Sequence, residues 1–304
     1  MSERGALGLS VQAFSMQKDG SSETENEDAV EFGDDGHIVA VSDGATEGTD
    51  SRRWARFLVE KFCTLPVLPS ATGEGTFSDS LRAWIDNAVS EWNDQARPEP
   101  SRISLPWYVG RAAERGSFAS LIGARIDKSS AESQQTEASS PLLTVSAVAI
   151  GDSCAFVIRN GALVFSFPLT SVSDFQRRPQ LLCTVGAQNR PAVESALTVN
   201  FTLQHGDSLV FMTDAMACWF LDNLGKEAEL RTVRRQSGVE SDAGSTAASG
   251  VIAYFVAGDS AVATQSAFAT LVTQELKCGT LRNDDCTVVV VSATANREKG
   301  AEAE

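Results

Sequence analysis

Five apolar runs in this chain each carry an aspartate at one end, and that pattern constrains the fold more than any other feature. "IVAVSDG", "AVAIGDS" and "LVFMTDA" end on Asp43, Asp152 and Asp214, whereas "NEDAVEF" and "NDDCTVVVV" begin on Asp28 and on Asp284 or Asp285. In an antiparallel sheet the exit end of one strand lies beside the entry end of its neighbour, so all five can meet at one edge. Carboxylates brought together in a partly buried place repel one another, and such a cluster needs cations or protons to persist. Oxygen donors without His or Cys select hard ions, Mg²⁺ or Mn²⁺, over zinc. Gly44, directly after Asp43, suits a turn and also leaves a backbone carbonyl open to an ion.

The rest of the chain supplies the sheets and their cover. A first strand is expected over residues 9–16, then a polar loop, then a hairpin from "DAVEF" through "GDDG" to "HIVAVS" that sets Asp28 across from Val41, within a residue or two of Asp43. Apolar residues at helical spacing predict amphipathic helices over 50–63 and 80–92. Strands follow at "SFASLIGARI", "LLTVSAVAI", "CAFVIR" and "ALVFSF", the last two joined by Asn160 and Gly161, a two-residue hairpin turn. "DSLVFMT" is a further strand, with helix after it and again over about 260–276, before "DCTVVVVS" returns to strand. Strands that bracket helices without a regular βαβ alternation predict an α+β fold of packed antiparallel sheets covered by helices. The polar segment 127–141 reads as a long hairpin loop and the residues from 295 to 304 as a frayed tail, leaving one domain over 1–294.

Composition excludes several classes. Of 304 residues 42% are hydrophobic and 21% charged, ordinary globular usage. No run approaches the roughly 18 apolar residues of a membrane span, and the start has no signal-peptide pattern, so a cytoplasmic protein with no membrane partner is expected. The formal net charge of −15 disfavours a nucleic acid partner, which draws affinity from clustered Lys and Arg. The six scattered cysteines, with no CxxC pair, read as reduced core residues.

The ordered set "NEDAV", "VAVSDGAT", "GSFASLIGARI", "AIGDSCAFVIRNGAL", "LVFMTDAM" and "NDDCTVVVV" resembles the metal-dependent, type-2C protein serine/threonine phosphatases in a divergent, bacterial-type form, over about residues 8–293. The resemblance implies an αββα sandwich with a two-metal site at one edge of its sheets. It implies that Asp43 bridges two Mn²⁺ or Mg²⁺ ions, that the Gly44 carbonyl binds one of them, and that Asp214 and Asp284 bind the other. Glu27 and Asp28 match the family's acidic pair, which reaches metal directly or through water, and Asp152 matches a position that helps hold a weaker third ion. The implied activity is hydrolysis of phosphoserine and phosphothreonine in proteins, with Asp43, Asp214 and Asp284 acting through metal-bound water: a metal-bridging hydroxide attacks in line while the cations neutralise the phosphoryl charge. Phosphoproteins, and a cognate serine/threonine kinase, are the partners this implies. The family pattern also selects Asp284 over Asp285 as the ligand, since alternation sends neighbouring side chains to opposite faces but cannot say which faces the ion.

The chain departs from the pattern in places that concern substrate rather than metal. Where many members carry a phosphate-gripping Arg, this chain has Glu23; Lys18 in the same loop is the nearest substitute, while Arg52 and Arg53 read as surface residues. Ala45 stands where some members have His, and His37 and His205 read as structural, so protonating the leaving group falls to a metal-bound water. Ala215 replaces a Gly, and Cys154 an Arg. Two other readings follow from these gaps: a catalytically weak phosphatase-like domain that binds phosphoproteins or a kinase, and a phosphatase of small-molecule phosphates.

Overall fold

A computed structural model describes residues 7–45, 50–69, 76–95, 115–128, 142–236, 250–255 and 264–295. Its core is two antiparallel five-stranded sheets packed face to face. In the first, β1 (Leu7–Met16) pairs with β13 (Cys286–Ala295), followed by β12 (Ser208–Met212), β8 (Cys154–Arg159) and β9 (Ala162–Phe167). In the second, the order is β11 (Leu197–Gln204), β7 (Leu142–Ile150), β6 (Leu121–Lys128), β3 (Ile38–Ser42) and β2 (Ala29–Phe32). Helices α1 (Ser51–Thr64) and α2 (Phe77–Gln95) cover the second sheet, and α4 (Asp214–Gln236) and α5 (Gln265–Cys278) the first; a short α3 (Arg190–Ser195) leads into β11. This is the expected αββα sandwich.

Strand alternation builds all three apolar layers. Val289 and Val291 of β13 face the other sheet, where they meet Val41, Ile122 and Val145, while Val288 and Val290 face Phe220 and Phe268 on the helices. A four-valine run is therefore buried on both faces, as a central strand requires. On the opposite side Trp54, Leu58 and Phe62 of α1 pack on Ala40, Val148 and Ile150. Each such side chain contributes about 1.5–3 kcal/mol on burial, which holds the strand ends in place.

The Asn160–Gly161 turn joins β8 and β9 with φ of 50° and 71°, the two positive values a tight hairpin turn needs. The first hairpin differs from expectation. Ala29 pairs with Ser42, so Asp28 lies opposite Asp43 rather than Val41. The reversal is a 3₁₀ turn over Asp34–Gly36 with Asp35 at φ 60° and Gly36 at φ 72°, which moves its centre one residue onward. Strand β11 was not among the sequence-based expectations. β13 runs through Ala295, opposite Leu7; residues 296–304 and most of the polar loop 127–141 lie outside the described residues. All six cysteines are free, but Cys278 is exposed rather than in the core, and Cys63 and Cys218 are half-buried. Among the described residues no helix is long and apolar enough to cross a membrane.

Candidate metal centre

The aspartates lie at corresponding places in the two sheets. In the second sheet β3 and β6 break after Ser42 and before Leu121, and the chain continues into a small ribbon of β4 (Gly44–Ala45), β5 (Phe118–Ala119) and β10 (Leu182–Cys183). Asp43 and Ser120 occupy the break and pair across it: Ser120 N donates to Asp43 O at 2.8 Å, and Asp43 N to Ser120 Oγ at 3.0 Å. Ser120 Oγ in turn shares a 2.7 Å hydrogen bond with Ser153 Oγ, beside Asp152 in the crossover to the first sheet. There Met212 pairs with both Cys154 and Val288, so two residues on Asp214 stands level with Asp152 and with the mouth of β13. Asp214 also opens α4, where the N-terminal amides favour a carboxylate.

Asp43, Gly44, Asp152, Asp214 and Asp284 line one cleft of about 410 Å³. Asp28 lies behind it, half-buried, its Oδ1 out of contact with solvent and its Oδ2 accepting from Thr213 Oγ1 at 3.0 Å. Burial holds the Asp43 carboxyl well above the usual range, and the charges of Asp28, Asp214, Asp152 and Asp284 raise it further. Asp28 is raised the same way, by burial first, against the pull of the Thr287 and Thr213 hydroxyls. Asp152 is pushed up to about 7 by burial and then by Asp214. Asp28, Asp152, Asp214 and Asp284 therefore all lie within electrostatic reach of Asp43.

The adjacent Asp284 and Asp285 separate cleanly. Asp285 is 4% exposed and turned inward, its Oδ1 and Oδ2 accepting from the backbone N–H of Lys18 and of Glu27, both at 2.8 Å. Asp284 lines the cleft. The Asp285 contacts pin the polar loop that carries the acidic pair, and that loop's Glu27 O accepts from Gly44 N at 3.2 Å. A Cβ on Gly44 would lie 2.9 Å from Glu27 O and from the Ser51 carbonyl, so close backbone packing alone demands glycine here.

These residues fit a hard divalent cation. Their donors are all oxygen, they repel one another, and Asp28 Oδ1 and Asp214 Oδ1 are buried without a hydrogen-bond partner. Among the described residues no three acidic, His or Cys side chains converge closely enough to cage an ion as they stand. Instead Arg282 Nη2 reaches both Asp214 Oδ2 and Asp284 Oδ2, the second at 3.1 Å.

No family model matches the chain, and no curated protein does. Among solved structures, the Mycobacterium tuberculosis serine/threonine phosphatase PstP/Ppp is 15% identical over 95% of this chain and 100% of its own, with a TM-score of 0.50. The photosystem II phosphatase PBCP is 19% identical over 95% and 100%, also at 0.50. The chain has the fold of these phosphatases. At such identities the likeness is one of fold, and the chemistry must be argued from the side chains.

Several residues near the acidic set make other contacts. The Glu27 side chain does not line the cleft; it pairs with Lys18 Nζ at 3.5 Å, which draws Lys18 toward the acidic loop. Glu23 opens on a second pocket, which Asp28, Arg52 and Arg56 also line. Arg52 donates to Thr24 O, and Arg53 pairs with Asp50 at 2.8 Å and lies over the Trp92 ring. His37 Nδ1 is 2.7 Å from Ile126 O, a structural contact. The basic residues on the cleft wall are Arg177, Arg178 and Arg282, none of them anticipated. Arg282 lies two residues before Asp284, but the chain bends at 281, 283 and 284, so strand alternation does not account for its place on the same wall.

Proposed function

We propose that the chain is a divalent-metal-dependent phosphatase of phosphoserine and phosphothreonine in proteins. The carrying observation is the convergence of Asp43, Asp152, Asp214 and Asp284 on one cleft, with Asp28 behind them, at the sheet edge of a serine/threonine phosphatase fold. Asp28, Asp43, Asp214 and Asp284, with the Gly44 carbonyl, would hold two Mn²⁺ or Mg²⁺ ions; Asp152 would share a third, and Glu27 would reach metal through water. Bound there, the cations would supply an activated water as nucleophile and neutralise charge on the phosphoryl group.

The chain's own residues do the rest. Ser120 and Ser153 fix the backbone on either side of Asp43 and Asp152, Asp285 anchors the loop of Asp28, and the arginine wall offers positive charge to the substrate phosphate. A protein substrate is favoured over a metabolite because the cleft adjoins a second pocket of about 490 Å³, with which it shares Ala45, Arg178, Pro179 and Leu181. That pocket offers room for residues flanking the phosphate.

The test is hydrolysis of an aryl phosphate and a phosphopeptide in Mn²⁺ and in EDTA, with Asp214→Asn as control. Turnover that needs Mn²⁺ and falls by about 100-fold or more in the variant supports the reading; metal-independent turnover, or full activity in the variant, ends it. The arginine seated on Asp214 and Asp284 favours one alternative, a domain that binds phosphopeptide without turning it over. Calorimetry showing phosphopeptide binding in Mn²⁺ alongside zero turnover would select it.

A further inference from the structure

Arg282 raises a question that the phosphatase reading leaves open. Its guanidinium lies between two carboxylates that a cation would need, and its partner Asp214 has its other oxygen buried and unpaired. So Arg282 is a cation already resident in the acidic cleft. Its side chain is also 55% exposed, against 12% for that of Asp214, so it can leave the pair without being pulled from a core. Beside it on the same wall stand Arg177 and Arg178.

From this geometry we propose that Arg282 is the chain's substrate-phosphate residue, held on Asp214 and Asp284 until divalent cations displace it. The inference rests on the phosphatase reading above. A divalent cation carries twice the charge of a guanidinium and binds the same oxygens directly, so cation and Arg282 compete for Asp214 and Asp284. Once displaced, the guanidinium stays at the cleft mouth, where a phosphate dianion is its natural partner because the planar fork matches two phosphate oxygens. The position held by Glu23 in the sequence pattern then needs no arginine, since the cleft supplies one from the approach to β13. Metal loading and substrate binding become coupled: the same event that fills the acidic site frees the group that grips the phosphate.

Two measurements on full-length wild type, Arg282→Gln and Arg282→Lys test it. The first is Mn²⁺ titration calorimetry without substrate. Removing the competitor is expected to tighten Mn²⁺ binding by about tenfold, which is about 1.4 kcal/mol, with the lysine variant between the two because an ammonium bridges two carboxylates less well. The second is steady-state kinetics on a phosphopeptide at saturating Mn²⁺, where Arg282→Gln should raise KM by about tenfold with a smaller change in kcat. Equal Mn²⁺ affinity in wild type and Arg282→Gln overturns the competition, and an unchanged KM overturns the handover; in both cases Mn²⁺-dependent turnover by wild type leaves the phosphatase reading standing. Absence of Mn²⁺ binding in all three proteins would instead remove that reading, and the inference with it.

Discussion

Replacing Asp152 with Asn should stabilise the metal-free protein at alkaline pH and leave it nearly unchanged in strong acid. Asp152 sits in the crossover between the sheets, on the cleft, with its carboxyl pushed from 3.8 to about 7 by burial and then by Asp214. In the unfolded chain the same carboxyl titrates near its ordinary value. Between those two values the folded state holds a proton that the unfolded state has lost. Stability therefore falls as pH rises through the window and is lowest above pH 7. The displacement is roughly three pH units at about 1.4 kcal/mol each, so about 4 kcal/mol is the ceiling. Water at the open cleft screens part of it, and about 2 kcal/mol is the working expectation.

Asparagine does not titrate, so the variant escapes this penalty. For a chain of this size about 2 kcal/mol corresponds to a Tm rise of about 3 °C. The assay is thermal melting by circular dichroism in EDTA at pH 4.5, 6.5 and 8, taking the difference between Asp152→Asn and wild type at each pH. That difference should be largest at pH 8 and about half as large at pH 4.5, where the unfolded carboxyl has already lost most of its proton. A difference that does not grow with pH refutes the claim that the carboxylates of this edge repel one another. Saturating Mn²⁺ at pH 8 should then narrow or reverse it, because a ligand that binds only the folded state stabilises most the protein that binds it best.

The split between the two adjacent aspartates gives a pair of opposite outcomes. Asp285→Ala removes the carboxylate that accepts from two half-buried backbone N–H groups, of Lys18 and Glu27, and should cost about 2–4 kcal/mol in urea unfolding, whereas Asp284→Asn should change stability by less than about 1 kcal/mol yet abolish Mn²⁺-dependent turnover. Equal stability losses would show that the two side chains are not divided between loop and cleft. Gly44→Ala should lower stability by about 1–3 kcal/mol, because a methyl group there meets backbone atoms on both sides at 2.9 Å; a variant as stable as wild type in thermal melts would mean that the β3–β4 junction is looser than described.

What the sequence carried well was whatever depends on local pattern. "LLTVSAVAI", "CAFVIR" and "ALVFSF" coincide with β7, β8 and β9, because each is a β-rich run bounded by Pro, Gly, Ser or Asn. The grouping of the aspartates was legible too, since antiparallel neighbours must exchange entry and exit ends. Register was not: a 3₁₀ turn with two positive φ values, at Asp35 and Gly36, shifts pairing by two positions, and single-residue turn geometry lies below the reach of composition. β11 was missed although Val199, Phe201 and Leu203 alternate with Thr198, Asn200 and Thr202. It pairs with β7 alone and exposes Leu197, so its pattern is the weak one of an edge. Arg177 and Arg178 were invisible for another reason. They reach the cleft only because β10, three residues after Pro179, joins the ribbon that continues β3 and β6, a long-range pairing of two residues that no local window contains.

The same comparison explains why the acidic edge can exist at all. A cluster of ionised carboxylates opposes folding, so the strands that end there must be held by something the repulsion cannot undo. Val288 to Val291 on β13, Leu209 to Met212 on β12 and Val39 to Val41 on β3 are each 3% exposed or less, buried on both faces of their sheets. With each large apolar side chain contributing about 1.5–3 kcal/mol, these three strands alone outweigh a penalty of the size worked out for Asp152. Serine pairs and the inward Asp285 then fix the backbone between those strands and the cleft, which leaves only side-chain rotation free at the rim. Arg282 is the half-exposed side chain there that bonds two of the acidic groups at once. The repulsion of the site is thus borne by the core, while the exposed arginines of the wall, Arg282 among them, keep their freedom to move.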